Sequence, residues 1–274
     1  RIGPPWYQRA FSRYFDDGEG REYPVAAELA EHLTAGLIER EFDVATSKMA
    51  PQGTSEGHAF AFVHKRLLPP DAPVPIVPLC LNTYYPPNQP LPRRCHDLGR
   101  ALREAVTSYS GPAQRIGILA SGGLSHLTID EQLDQEVIDA LRRHDAQALR
   151  SLPACKLRAG SSEIRNWICV AGAVEHLQVD WLDYIAAYRT PAGTGTGLCF
   201  AIWSDGRRPD GAPWRPAWGP RSIRARPWAG RSARRSSSGP APYCRQDARR
   251  QRQPNWPREC NRPGRRKNRS GEVP

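Results

Sequence analysis

Apolar residues recur at every fourth position through Val25, Leu29, Leu33 and Leu37, with Glu and Arg on the other faces and Pro24 where a first helical residue would stand. This spacing predicts a surface helix over residues 24–40. A short strand is expected at 42–49. The run Val-Pro-Ile-Val-Pro-Leu-Cys-Leu at 74–81 has the length of a buried strand, although Pro75 and Pro78 cannot donate to a ladder and favour an edge. Further along, helical patterns over 93–107, 129–143 and 161–177 alternate with apolar strand-like runs at 115–120 and 198–203. Alternation of this kind predicts an α/β fold, a mixed sheet with helices on both faces, in a single core domain.

The pattern stops after Trp203. Residues 204–274 contain 18 Arg, 11 Pro, 7 Gly and 7 Ser, and Ile223 and Val273 are their only members of the Ile, Leu, Val, Met and Phe set. Such a segment has too little apolar area to offset a backbone ordering cost of about 1–2 kcal/mol per residue, so it is expected to be a disordered basic tail. The two domain assignments are therefore 1–203 for the core and 204–274 for the tail. Charge divides at the same place: residues 1–203 carry 20 Lys plus Arg against 23 Asp plus Glu, a net of −3, and the remaining 71 carry 19 against 5, a net of +14. The +11 of the whole chain thus says nothing about the core's partners. Trp214, Trp218, Trp228 and Trp256 among the arginines would allow stacking on nucleic-acid bases. The abrupt change and the lack of periodicity favour instead an unselected sequence, for instance a shifted reading frame.

Seven cysteines, widely spaced and without a Cys-x-x-Cys pair, indicate neither a zinc site nor a disulfide framework. The sequence shows no leader-like n-region and h-region and no apolar stretch of membrane-spanning length, and a cytoplasmic location is the expectation. Arg1 opens the chain in a Gly-Pro-Pro turn, which suggests that sequence precedes it.

Three residues stand out as candidate chemistry. His126 ends Ser121-Gly-Gly-Leu-Ser-His126, just past a strand-like run, where α/β ligand sites gather and a histidine can act as a base; a turn histidine bonded to local backbone is the alternative. Glu163 follows Gly160-Ser-Ser, where a carboxylate complements a helix start, or serves as a hard oxygen ligand for a divalent metal. His58, after Ser55-Glu-Gly, precedes apolar residues as a polar group aimed into a pocket would. His64 reads as a solvated helix residue, and His32, His96, His144 and His176 as members of charged helical faces. Thr194 and Thr196, in Ala192-Gly-Thr-Gly-Thr-Gly, either bind a substrate substituent or form part of a Gly-rich turn. The long loop from Asn82 to Cys95 is placed to line a site.

In this order and spacing, Gly57-His58, Pro-Ile-Val-Pro leading to Asn82 and its Tyr-Pro loop, Arg93-Arg94-Cys95, Ser121-Gly-Gly-Leu-Ser-His126 and Gly160-Ser-Ser-Glu163-Ile-Arg-Asn-Trp167 resemble the catalytic β-subunit family of protocatechuate 4,5-dioxygenase, the class III extradiol dioxygenases, from about Pro24 to Trp203. The resemblance implies a non-haem Fe(II) enzyme that opens the ring of a catechol-type substrate with O2. It implies Glu163 as the carboxylate ligand, His126 as the active-site base and His58 as a further active-site histidine. It also places two histidine ligands upstream of the first helix, where residues 1–23 hold no histidine, so the chain resembles an N-terminally truncated member. Some members of such a family pair with a small helical α-subunit, and a homodimer is a further expectation for this chain. A catalytically inactive relative acting as an interaction protein is the competing expectation.

Overall fold

The structure, a computed structural model, describes residues 24–47, 57–68, 74–112 and 115–206. The chain divides into two units, Arg1–Ala212 and Pro213–Pro274, and all the described residues belong to the first. The expectations for the basic tail fall, beyond residue 206, outside the described residues.

Helix α1, Ala27–Glu39, buries Leu29, Leu33 and Leu37 as their spacing requires. It begins three residues after Pro24 because the preceding backbone is engaged elsewhere. Ile76 N donates to Pro24 O and Ala26 N to Ile76 O, each at 3.1 Å, forming a parallel bridge between Val25 and Ile76. Ile76 lies between Pro75 and the Val77-Pro78 pair, so its N–H is one of few donors that the run retains. Helix α2 is His58–Arg66, α3 Pro92–Thr107, α4 Glu131–Arg142 and α5 Ala146–Arg150; a 3₁₀ turn over Ala159–Glu163 leads into α6, Ile164–Ala173. Asp130 and Asp145 cap α4 and α5 through Leu133 N at 3.0 Å and Ala148 N at 2.9 Å.

The strands are β1 His126–Thr128, β2 Gln178–Tyr188 and β3 Thr194–Ser204, antiparallel in the order β1-β3-β2. Helices and a small antiparallel sheet thus form the single α/β core that the sequence predicts, and the parallel Val25–Ile76 bridge stands outside the ladder. The runs at 42–47, 77–81 and 115–120 are extended chain without a ladder. Ile116, Ile118 and Ala120 instead pack their alternate side chains on the helices. Strand β2 has no counterpart in the predicted elements. The register slips between Val179 and Trp181, leaving Asp180 unmatched, and this irregularity breaks the alternation by which a strand is read.

The main core joins Cys95 and Leu98 of α3, Val137 and Ile138 of α4, and Trp167 and Ile168 of α6 to the inner face of β2 and β3. Two histidines expected on solvated faces are inside: His64 is 3 % exposed and His96 2 %. Among the described residues no helix is long and apolar enough to cross a membrane.

Candidate active site

The extended run ending at Ala120 delivers the turn Ser121–Gly123, and that turn is held from three directions. Trp167 Nε1 donates to Gly122 O at 3.0 Å, and Asn166 Nδ2 donates to Ser121 O at 2.9 Å. Ser121 Oγ donates to Ala59 O at 3.0 Å, beside His58. Gly122 has φ +143, and a Cβ there would lie 2.8 Å from Glu163 Oε2. Glycine is therefore required both by conformation and by the approach of the carboxylate.

Glu163, half-buried at the end of the 3₁₀ turn, accepts from Gly123 N at 3.1 Å. Its position is also secured through Arg165, 2 % exposed, whose guanidinium donates to Pro90 O and Leu157 O at 2.8 Å and to Thr83 O and Ser162 O at 3.3 and 3.4 Å. Burial lowers the Arg165 pKa. Four carbonyls replace its water and tie the Asn82 loop to the turn that carries Glu163.

His126 opens β1 opposite Thr196 of β3. Its N–H donates to Ser161 Oγ at 3.2 Å, and its ring lies against Gly160, where a Cβ would come 2.5 Å from His126 Cβ and 2.7 Å from Nδ1. His58, capped by Gly57 at the start of α2, is half-buried. Burial lowers its pKa, the Glu163 carboxylate opposes that shift and His126 adds to it. His58 therefore lies within electrostatic reach of both Glu163 and His126, and the turn at Ser121–Gly123 bonds both Glu163 and the backbone beside His58. Thr196 is brought to the same place, since a Cβ on Gly123 would meet its Cγ2 at 3.0 Å. Thr194 is not: it pairs with Thr128 and its hydroxyl bonds Thr190 Oγ1 at 2.7 Å in the hairpin turn.

Among the described residues no group of three or more His, Cys, Asp or Glu side chains is placed to hold a metal ion. Glu163 fits one carboxylate ligand, with Oε2 oriented by the Gly123 N–H, but the described residues alone do not make a three-ligand iron site. Burial pushes the thiol pKa of Cys95, Cys169 and Cys199 up to about 12, which disfavours thiolate chemistry at these three. A cavity of about 260 Å³ lined by His96, His144, Glu175 and Trp203 shares no residue with this site.

Residues 15–199 match the family described as the catalytic LigB subunit of aromatic ring-opening dioxygenase. The chain belongs to this family. It is also 30 % identical over 175 residues to a gallate dioxygenase of Pseudomonas putida, an alignment covering 58 % of this chain and 49 % of that protein. The chain therefore spans about half the length of the curated relative it matches.

Asp134 and Tyr184, bonded to each other and, through Asp134, to Ser125, lie in no motif read from the sequence, whereas Ser125 and Arg165 fall inside the quoted motifs without their burial being legible there. An Asp in a first helical turn and an Arg on a helix are ordinary in sequence, and only their burial sets them apart.

Proposed function

We propose that this chain is the catalytic part of a ferrous-iron-dependent extradiol dioxygenase that opens the ring of a catechol-type substrate with O2. What supports the reading is that His58 lies within electrostatic reach of both His126 and Glu163, with Glu163 bonded to the glycine turn three residues before His126, in a chain of the ring-opening dioxygenase family. Glu163 takes one ligand position. The family resemblance implies two further histidine ligands N-terminal to the first helix, where residues 1–23 hold no histidine. Fe(II) supplies a centre that lowers the pKa of bound hydroxyls and activates O2.

The chain's own residues prepare the substrate. His126, half-exposed at the start of β1, accepts the proton of a catechol hydroxyl at an imidazole nitrogen. His58, whose neutral form burial favours, offers a hydrogen bond without adding positive charge beside the metal. Thr196 faces the turn and contacts a ring substituent, and Thr194 supports the hairpin that carries it. The proposal includes a cytoplasmic location and the family's small helical α-subunit or a homodimer as partners.

The test is anaerobic Fe(II) loading and oxygen uptake with a panel of catechols, on the chain joined to its native upstream sequence. Iron retention, ring-opened product, loss of iron in Glu163→Gln, and retained iron with about 100-fold lower kcat in His126→Gln are expected. Absence of both iron and oxygen uptake would sink the proposal and favour an inactive relative acting in assembly, a reading that the incomplete donor set among the described residues also supports.

A further inference from the structure

We propose that Asp134, through Ser125 and with Tyr184, is the positioning residue that holds His126 in its working orientation, an inference that rests on the reading of His126 as the base. Asp134 lies in the first turn of α4 and is 0 % exposed. Burying a carboxylate is costly unless donors replace its water. Here three do, each at 2.7 Å: Ser125 N–H to Oδ1, Ser125 Oγ to Oδ2 and Tyr184 OH to Oδ2. Among the described residues no Lys or Arg forms an ion pair with Asp134. β3 leaves space for the carboxylate, since a Cβ on Gly197 would come 2.1 Å from Oδ2. Ser125 Oγ also accepts from Asp130 N at 2.9 Å, so both the backbone and the hydroxyl of the residue before His126 are committed.

The residue after His126 shows why such a clamp is needed. Leu127 has φ +74, a left-handed conformation that strains a residue with a branched side chain. It persists only where the chain on each side over-determines it. On the far side, Thr128 pairs with Thr194 and Ile129 N donates to Gly193 O at 3.0 Å. On the near side, Gly197 N donates to Ser125 O at 2.7 Å, and the Asp134 carboxylate takes the remaining groups of Ser125. His126 is thus suspended between two fixed points, its ring on Gly160 and its N–H on Ser161. An apolar residue at 134 would fill the space at lower desolvation cost, yet could not hold Ser125 by two groups.

The experiment uses the full chain, uniformly ¹⁵N-labelled, without metal or substrate, together with Asp134→Asn and Tyr184→Phe. The second variant removes one hydroxyl and leaves the carboxylate in place, and it decides the matter should the first fail to fold. In both, the ring nitrogen signals of His126 are expected to move while those of His32 and His144 stay. Amide exchange at His126 and Leu127 is expected to accelerate about tenfold beyond what any change in global stability accounts for, with the smaller effect in Tyr184→Phe. Unchanged His126 signals and unchanged local exchange in a folded variant overturn the proposal and leave Asp134 a purely structural group. Since turnover is not read, a chain that consumes no oxygen but loses His126 order in the variants rejects the dioxygenase reading and retains this one. Oxygen uptake with His126 order unaltered does the reverse.

Discussion

Gly160 leaves no room for a methyl group, because the His126 side chain already occupies the space where its Cβ would project, 2.5 Å from His126 Cβ. On the proposed reading of His126 as the base, Gly160→Ala is expected to shift the imidazole by up to about 1 Å and to lower kcat about 100-fold, the scale of loss for a misplaced group. Steady-state kinetics on the iron-loaded protein, beside an unfolding curve that moves little, would check it. At this scale the sequence is informative where a glycine accompanies a polar residue. His58 follows Gly57, His126 follows Gly122-Gly123, and Glu163 follows Gly160; at Gly122, Gly123 and Gly160 the structure shows the close approach that requires the glycine. The sequence is silent on Asp134 and on the burial of Arg165, both of which depend on elements distant in the chain. Thr194 and Thr196 look alike in sequence, and only the register of β3 separates them, pairing Thr196 with His126 and Thr194 with Thr128 at the hairpin end.

Helices α3 and α6 meet through glycines on both sides. A Cβ at Gly99 would stand 1.8 Å from Cys169 O, and one at Gly172 2.2 Å from His96 O, so each glycine admits the other helix's backbone. Gly99→Ala is expected to destabilise the core by about 3 kcal/mol, because backbone cannot yield as a side chain does. Asp130→Ala, which removes only a cap, should cost about 1 kcal/mol. Urea denaturation of the two variants would show the first midpoint falling much further than the second, and comparable shifts would contradict the close packing. The helices themselves are legible in the sequence because their period is local: Leu29, Leu33 and Leu37, or the run through α4, need no partner to be recognised. Strands depend on neighbours. The runs at 74–81 and 115–120 have strand composition but no ladder, and β2 has a ladder but a bulged pattern. The burial of His64 and His96 escapes the sequence for the same reason, since charged neighbours along the chain say nothing of the elements that pack over them.

At the scale of the whole molecule, stability should depend on pH through His96. Its pKa is lowered by burial, with Arg150 and Arg100 acting in the same direction and Glu175 and Asp97 opposing. The folded state therefore binds this proton less readily than the unfolded chain, whose histidine titrates near 6.5. The contribution is complete above that pH and is lost as pH falls through the window below it, toward the folded pKa. His96→Gln, whatever its effect on absolute stability, is expected to flatten the slope of unfolding free energy below about pH 6.5; an unaltered slope would show that His96 is not among the titrating groups. Charge sets a second expectation. Residues 1–203 carry a net of −3 and residues 204–274 a net of +14, so retention of the full chain on a polyanion matrix reports the tail alone. Ending the chain after Trp203 should abolish salt-sensitive retention while leaving iron loading and oxygen uptake intact in the chain joined to its upstream sequence. Catalysis lost together with retention would instead tie the basic segment to the site, since nothing in a catechol or in O2 calls for a polycationic partner.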